Sequence, residues 1–469
     1  MLFNSPEYFV FLAIVLLLYY SFKQRFQNYM LLVASYIFYG LWDYRFLSLI
    51  FISTAVDYFV ARLMQQANPH KKRILLLISM CTNLGILGFF KYFNFFIDNA
   101  ERLLTTFGFQ ANIPVLYIVL PVGISFYTFQ TMAYTIDVYR GKMNPVTDIV
   151  DFALYVCYFP QLVAGPIERA QNLIPALQSK RVVTTDMFVS GFTLILIGLF
   201  RKVVIADALG PQIDPIFASP DNYSSPEVMK AIYLFALQIY CDFAGYTDIA
   251  RGSSRLLGIE LMRNFEQPYF SANITEFWRR WHISLSTWLR DYLYVPLGGN
   301  RSGLFYTYRN LMITMLLGGL WHGAAWSFVV WGGLHGLYLI GHRLLTQNQK
   351  FTEKSPTDWD WQRVVGVVVT FHLVLLTWVF FRAPGFRASI NFLEQIFSFQ
   401  HMETWTTVLP AVIIPWALIL FIDIPQFVTG RHVVLLRWPQ LVRNVAVAIM
   451  LFLILLGVGN RAPFIYFQF

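Results

Sequence analysis

The sequence predicts an all-α integral membrane protein with about eleven transmembrane helices, together with re-entrant or in-plane helices. Its 469 residues are 57% hydrophobic and only 13% charged, whereas soluble domains carry about 25% charged residues. The apolar residues occur in runs of about twenty, the length that crosses a bilayer. We therefore predict one polytopic membrane domain over 1–469, with no appended soluble domain.

The predicted spans follow the apolar runs in chain order. The first run lacks a basic region and a small-residue cleavage site, which predicts a retained span rather than a signal peptide. Pieces at 148–165, 274–297 and 332–345 are ambiguous between spans and in-plane or re-entrant helices. The spans lie roughly at 8–20, 28–41, 46–60, 74–97, 115–136, 188–209, 228–250, 308–331, 362–381, 408–428 and 439–458.

The basic residues indicate how the chain is oriented. The net charge is +9. In the first half of the chain, basic residues cluster in the loops after the first, third and fifth spans, whereas the loop at 98–112 has one arginine against Asp98 and Glu101. Basic loops remain cytoplasmic and contact anionic headgroups, so the N-terminus is predicted to be extracytoplasmic. Membrane lipids, and not nucleic acid, are the partners that this charge predicts. The basic residues of the three cytoplasmic loops are Lys23, Arg25, Arg62, Lys71, Lys72, Arg73, Arg140 and Lys142.

Other chemistries find little support in the sequence. Cys81, Cys157 and Cys241 lie in apolar stretches without paired spacing, so buried thiols are predicted rather than disulfides or a metal site. There is no G-x-S-x-G or H-E-x-x-H motif. The intramembrane acids are scattered, unlike the rows expected of an ion-coupled pump. They are Asp57, Asp137, Asp242 and Asp248.

The segment 316–336 carries the main candidate for chemistry. His322 lies in an apolar stretch among small residues, and an ionisable group at membrane depth is by default a functional hypothesis. A neutral imidazole can accept a proton from a hydroxyl, although a structural histidine bonded to a neighbouring helix remains an alternative. The small residues permit either close helix packing or space for a substrate. For His335 the structural role is favoured.

The segment 272–303 has the pattern of one amphipathic helix at an interface or along a cavity. His282 falls on the flank of the apolar face, and a flexible turn at 298–303 follows. The basic side could face lipid headgroups or guide a phosphate-bearing donor. The apolar face comprises Phe277, Trp281, Leu285, Trp288 and Tyr292, and the polar face comprises Glu276, Arg279, Arg280, Thr287, Arg290 and Asp291.

Two further segments have alternative interpretations. Pro160, Gly165 and Pro166 interrupt any helix over 158–169, which indicates a broken helix beside a cavity or a plain loop. The aromatic C-terminal tail, 461–469, is either an interfacial anchor or a segment that places the Tyr466 hydroxyl in a cavity.

These segments together resemble the membrane-bound O-acyltransferase (MBOAT) family. The paired motifs are FWRRWHISLSTWLRDYLYVPLGGNR and GGLWHGAAWSFVVWGGLHG, supported by LLVASYIFYGLWDYRFL, LPVGISFYTFQTMAYTIDVYRG and YFPQLVAGPIER. The similarity spans essentially the whole chain. The closer match is the bacterial branch, which includes the membrane subunit of alginate O-acetylation and the D-alanine exporter of teichoic acid modification.

The resemblance implies a ring of helices around a thin centre with a funnel. It also implies that His322 is the catalytic histidine and that His282 is the second polar residue of the site. Donor-binding candidates in the funnel are Arg279, Arg280, Trp281, Arg290, Asp291 and Asn300.

The implied reaction moves an acyl group, most readily acetyl, from a cytoplasmic thioester to an extracytoplasmic polysaccharide hydroxyl. The donor is acetyl-coenzyme A or an acyl carrier protein, and no bound cofactor or metal is implied. A periplasmic SGNH-type transferase is the expected partner, with Tyr466 as a transient acyl carrier. The expected location is a bacterial inner membrane. Alternatives are D-alanyl transfer, a transporter of lipid-linked sugars and a non-catalytic scaffold.

Overall fold

A computed structural model describes residues 1–109, 116–163, 165–346, 359–457 and 464–465. Within these ranges every regular element is helical. The helices are α1 (Pro6–Ser21), α2 (Gln24–Asp43), α3 (Leu47–Met64), α4 (Pro69–Leu87), α5 (Phe93–Thr106), α6 (Ile124–Tyr139), α7 (Ile149–Cys157), α8 (Phe159–Leu162), α9 (Ala170–Gln178), α10 (Thr185–Leu199), α11 (Asp207–Ala218), α12 (Ser225–Leu256), α13 (Ile274–Arg280), α14 (Ile283–Leu289), α15 (Leu304–His322), α16 (Trp326–Thr346), α17 (Trp361–Arg382), α18 (Phe386–Phe397), α19 (Trp405–Thr429) and α20 (Gln440–Gly457).

The described helices confirm an all-α chain with the features of an integral membrane protein. Seven helical segments are long and apolar enough to cross a bilayer, compared with the predicted total of about eleven spans. Part of the difference arises because α2 and α3 run on as a single apolar segment, and because α1 is a shorter apolar helix of 16 residues. The seven segments are Gln24–Met64, Pro69–Thr106, Thr185–Ala218, Ser225–Leu256, Trp361–Arg382, Met402–Thr429 and Gln440–Gly457.

Local sequence signals explain where several helices begin. At α1 the Ser5 side chain accepts a hydrogen bond from the backbone N–H of Tyr8, and Pro6 occupies the first helical position. At α4 the Asn68 side chain accepts a hydrogen bond from the backbone N–H of Lys71, and Pro69 occupies the first helical position. A polar cap followed by proline satisfies a free N–H at the helix start and pre-sets the backbone for a helix.

The chain divides into two compact units, residues 1–191 with 250–262, and residues 192–249 with 263–469. The first unit is held by buried polar contacts between apolar helices. The Tyr8 hydroxyl donates to Ser253 Oγ at 2.7 Å, and Asn83 Nδ2 donates to Asp57 Oδ2 at 2.8 Å. Such bonds satisfy polar groups that lipid could not solvate. Asp57 is therefore part of a hydrogen-bonded cluster in this unit.

The second unit contains a close helix crossing and a buried charge network. A Cβ on Gly198 of α10 would lie 2.6 Å from the carbonyl oxygen of Gly245 on α12, so the two backbones meet at glycine. Directly after α10, the π-helical turn Phe200–Ala206 turns Arg201 inward. The Arg201 guanidinium lies 2.5 Å from Asp248 and 2.6 Å from Asp423, and all three side chains are buried. Buried charges of this kind persist when they are paired and hydrogen-bonded.

Candidate active site

The amphipathic segment containing His282 is not one continuous helix, so the prediction for 272–303 is wrong in this respect. Helix α13 ends at Arg280 and α14 begins at Ile283, with His282 between them in the left-handed region at φ +44°. A non-glycine residue seldom adopts this conformation without support. The support is Asn264, because its backbone oxygen and Oδ1 accept the N–H groups of Ile283 and Ser284 at 2.9 and 3.2 Å.

The predicted separation of polar and apolar side chains over this segment holds despite the break. Four of the five residues assigned to the apolar face are buried and Tyr292 is partly buried, whereas the residues assigned to the polar face are exposed or partly exposed. Periodicity therefore identified which side chains face inward. It could not identify the break, because the break depends on hydrogen bonds to Asn264, which lies outside the amphipathic segment.

His322 is the last residue of α15, and the predicted span over 308–331 is broken directly after it. Gly323 is extended, and α16 begins at Trp326. A Cβ on Gly323 would meet the Phe328 ring at 2.1 Å, so the ring occupies the space that any other residue would need. The imidazole therefore lies at a helix end, where the chain reverses.

Helices α15 and α16 pack closely through glycine. A Cβ on Gly319 would lie 2.2 Å from the carbonyl oxygen of Phe328, and one on Gly332 would lie 2.2 Å from that of Met315. These two glycines therefore serve close helix packing, one of the two uses expected for small residues here. The crossing fixes the direction in which α15 presents His322.

Replacing Gly332 with alanine is expected to destabilise the protein by about 1–3 kcal/mol, since α15 and α16 must move apart to fit the methyl group. Gly341→Ala is the matched control, because a Cβ at this position of the same helix has nothing within 4 Å. The control should be neutral or slightly stabilising. Thermal unfolding in detergent, followed by tryptophan fluorescence, measures both. Equal midpoints for the two variants would contradict the close-packing argument.

The two breaks bring His282 and His322 together. Their ring centroids are 6.4 Å apart at an interplanar angle of 61°, and the residues are 0% and 4% exposed. A ring nitrogen lies only about 1.2 Å from its centroid, so the rings are too far apart for a direct hydrogen bond of about 3.2 Å or less. They are close enough for both to contact one substrate group.

Aromatic side chains surround the pair. His322 packs against Trp321, Trp331 and Phe381 at centroid distances of 5.0, 5.0 and 5.3 Å. His282 packs edge-on against Phe243 of α12 at 4.7 Å. Rings that exclude water strengthen electrostatic interactions inside a site. Sequence patterns do not single out these three partners of His322 or Phe243, because aromatic residues are frequent throughout the chain.

Burial also sets the charge state of His282. This residue lies between α13 and α14, outside the seven candidate spans. Because desolvation disfavours the imidazolium, the pKa of His282 falls from 6.5 to about 3. The ring is therefore neutral at physiological pH, so one ring nitrogen can donate a hydrogen bond while the other accepts one, and the tautomer decides which nitrogen has which role.

His335 has the contacts of a structural histidine. Its Nδ1 accepts from the Trp278 indole N–H at 3.3 Å, and its Nε2 lies 3.0 Å from the Thr377 hydroxyl. Both ring nitrogens are thus used to join neighbouring helices. This agrees with the structural role favoured from sequence.

The predicted donor-binding residues divide into a surface group and a packed group. Arg279, Arg290 and Asn300 are exposed, and Arg290 pairs with the neighbouring Asp291 at 2.7 Å. Trp281, in contrast, is buried. The packed contacts are those of Trp281 with Phe265 and Trp378, both at 5.0 Å, and of Arg280 with Glu276 at 3.1 Å and the Phe427 ring at 5.1 Å.

Two residues of the C-terminal tail, Phe464 and Ile465, are described and belong to the unit that contains both histidines. Phe464 and Ile465 are buried, and the Phe464 ring lies 5.6 Å from that of Phe243. Phe243 thus contacts both His282 and the tail. Tyr466, the predicted acyl carrier, lies outside the described residues.

Residues 144–383, more than half of the chain, match the model of MBOAT, the membrane-bound O-acyltransferase family. The chain belongs to this family. The matched region contains both His282 and His322, and it confirms the resemblance seen in the sequence motifs. The protein is accordingly an O-acyltransferase of the multi-pass membrane type.

Named relatives extend the comparison. The chain is 42% identical over 408 residues to the probable alginate O-acetylase AlgI of Pseudomonas aeruginosa, covering 86% of this chain and 76% of that protein. It is 36% identical over 428 residues to the peptidoglycan O-acetyltransferase of Helicobacter pylori, covering 84% and 79%. Identity to the teichoic acid D-alanyltransferase of Streptococcus thermophilus is 26% over 300 residues, covering 58% and 70%.

Proposed function

We propose that this MBOAT protein transfers acetyl from a cytoplasmic thioester for O-acetylation of an extracytoplasmic polysaccharide. The observation that carries the proposal is the buried histidine pair, His282 and His322, within the family domain. The relatives with higher identity are named for O-acetylation, whereas the D-alanyltransferase is more distant. Family membership also favours acyl transfer over the transporter and scaffold alternatives.

In the proposed step, His322 is the general base. Its imidazole takes the proton of the attacking hydroxyl as the hydroxyl oxygen forms a bond to the thioester carbonyl carbon. The carbon–sulfur bond then breaks, and the leaving thiolate takes the proton from the imidazolium. A neutral His282 orients the hydroxyl by a hydrogen bond, for which the 6.4 Å separation of the rings leaves room. The aromatic rings limit hydrolysis of the thioester by excluding water.

The donor would enter from the cytoplasmic side. Coenzyme A and the phosphopantetheine of an acyl carrier protein both carry phosphate, which arginine binds well. Arg279 and Arg290 are the exposed cations near the histidines in sequence, and the net charge of +9 is favourable for such donors. The alternate basic loops support a cytoplasmic-membrane protein whose N-terminus is extracytoplasmic.

The acetyl group would reach the outer side by way of the tail. Tyr466 would carry it as an ester, since tyrosine can act as a covalent nucleophile when a base removes its proton. A periplasmic SGNH-type transferase would then pass the acetyl group to the polymer. The buried position of Phe464 and Ile465 in the unit that contains both histidines supports this role.

Labelled donor supplied to the purified protein in detergent tests the proposal. With radiolabelled acetyl-coenzyme A or acetylated carrier protein and no acceptor, label should appear on the C-terminal peptide as a hydroxylamine-sensitive ester. Tyr466→Phe should abolish this label and lower polymer acetylation in cells by more than tenfold, because phenylalanine has a ring of the same size but no oxygen to acylate. D-Alanyl carrier protein serves as the competing donor.

The outcomes separate the alternatives. If the protein is labelled by D-alanyl donors but not by acetyl donors, the group that it transfers is D-alanyl and not acetyl. Normal polymer acetylation by Tyr466→Phe would show that Tyr466 is an anchor and that the acceptor hydroxyl is supplied by another molecule. A parent protein that consumes neither donor would contradict acyl transfer altogether.

A further inference from the structure

A buried carboxylate on α12 binds the backbone of the C-terminal tail. Asp242 Oδ2 accepts a hydrogen bond from the backbone N–H of Ile465 at 2.7 Å. Asp242 and Ile465 are almost fully buried. A hydrogen bond to an ionised carboxylate is about twice as strong as one between neutral groups, and burial protects it from competition by water.

Lys202 holds this carboxylate in place. Its ammonium nitrogen lies 2.7 Å from Asp242 Oδ1 and 2.7 Å from Asp207 Oδ1, and all three side chains are buried. Lys202 comes from the π-helical turn Phe200–Ala206, which follows α10. Since one oxygen of Asp242 faces Lys202, the other is directed to the tail. The ion pair thus keeps a buried charge compensated and fixes its orientation.

The bound segment lies one aromatic ring away from the catalytic candidates. Phe464 packs against Tyr246 at 4.7 Å and against Phe243 at 5.6 Å. Phe243 also contacts the His282 ring, with the two ring centroids 4.7 Å apart. Asp242 is the chain neighbour of Phe243, so the residue that binds the tail backbone and the residue that packs on His282 are adjacent on α12. The sequence then continues from Ile465 to Tyr466.

We propose that Lys202 and Asp242 are positioning residues that anchor the tail beside the histidine pair. They act through the backbone of Ile465 and do not touch the reacting atoms. An anchored backbone holds the carrier segment in place before each transfer, so the transfer step does not have to provide the entropy of ordering it. This inference rests on the proposed acyl transfer for its functional meaning, while the anchoring itself does not depend on it.

Chemical labelling measures the anchor without requiring activity. Ile465→Cys keeps the backbone N–H and places a thiol at a buried position. The background is Cys81→Ser, because Cys81 is exposed and not buried as the sequence predicts. A maleimide should label this thiol slowly in detergent-purified protein. Adding Asp242→Ala should increase the labelling rate at least tenfold, and Asp242→Asn, which retains an oxygen acceptor, should give an intermediate rate.

Asp248→Ala is the matched control. It removes another buried, ion-paired carboxylate from the same helix, and among the described residues this carboxylate pairs with Arg201 at 2.5 Å and lies 3.9 Å from His432 Nδ1. Its labelling rate should equal that of the parent even where its thermal midpoint falls as far as that of Asp242→Ala. The anchoring role of Asp242 would be overturned if its variants are labelled no faster than the parent. It would also be overturned if labelling of Asp248→Ala increases by the same factor.

Transfer kinetics then test the consequence. In the wild-type background, Asp242→Ala should lower turnover at least tenfold while KM for acetyl-coenzyme A stays within twofold, because the tail and not the donor is displaced. Faster labelling with unchanged turnover would overturn the positioning role. If the parent chain transfers no acetyl group, the proposed function fails, and the labelling experiment still decides the anchor.

Discussion

His322→Gln is expected to lower polymer acetylation by at least a hundredfold while the protein still reaches the membrane in normal amounts. Glutamine has a similar volume and preserves packing against Trp331 and Phe381, both near 5 Å from the imidazole. It cannot accept the proton of an attacking hydroxyl. General-base catalysis by a positioned side chain contributes about 10²–10⁴-fold to a rate, which sets the size of the loss. Acetyl groups released from the purified surface polymer, per unit of membrane protein, provide the measurement.

His335→Gln is the matched control for this substitution. His335 is also fully buried, lies on the neighbouring helix α16, and joins Trp278 to Thr377 through its two ring nitrogens. Its replacement should lower the thermal midpoint, yet leave acetylation per folded molecule within a few fold. A normal polymer acetylation level in His322→Gln would remove His322 from the mechanism. A loss of equal size in both variants would indicate a packing effect.

Arg201→Met is expected to reduce the free energy of unfolding by about 3–5 kcal/mol, because breaking a buried ion pair leaves an uncompensated charge. Here two carboxylates, Asp248 and Asp423, lose the guanidinium that lies within 2.6 Å of both. Methionine fills much of the same volume, so the loss reports on charge rather than on a cavity. Denaturation in mixed detergent micelles, monitored by tryptophan fluorescence, gives the difference from the parent.

Arg25→Met provides the comparison. Arg25 also pairs with a carboxylate, Asp148, but at 3.4 Å and with the arginine side chain 74% exposed. Water and salt screen such a pair, and its removal should leave the unfolding transition unchanged within error. Adding Asp248→Asn and Asp423→Asn to Arg201→Met should restore part of the lost stability. Equal behaviour of Arg201→Met and Arg25→Met would show that the buried network contributes little.

The resemblance in the sequence selected His282 and His322, but the distance between them depends on backbone contacts that no local pattern contains. Periodicity over 274–297 indicates one helix, and it correctly identifies the buried side chains. The break at His282 requires Asn264, whose oxygens replace the missing helical acceptors. Similarly, the apolar run over 308–331 indicates one span, whereas the Phe328 ring needs the space beside Gly323 and the helix ends there.

For the C-terminal tail, too, sequence patterns and tertiary contacts determine different features. From sequence, the tail is either an interfacial anchor or a segment that places the Tyr466 hydroxyl in a cavity; the structure adds that Phe464 and Ile465 are buried. Asp242 appeared in the sequence as one of several scattered acids. Its link to Ile465 joins residues 223 positions apart, and its pair with Lys202 depends on the π-helical turn after α10. Contacts at such separations are made when helices pack, so single-sequence patterns do not contain them.

Composition, apolar run length and two specific motifs were enough to define an all-helical membrane protein of the O-acyltransferase family. These properties depend on local hydrophobicity and on residue identity, which the chain carries in itself. The close approach of the two histidines, the aromatic enclosure around them and the anchored tail were decided by tertiary structure. They depend on a helix break at His282 where Asn264 accepts the free N–H groups, on a second break where the Phe328 ring fills the space beside Gly323, and on close packing that only glycine permits.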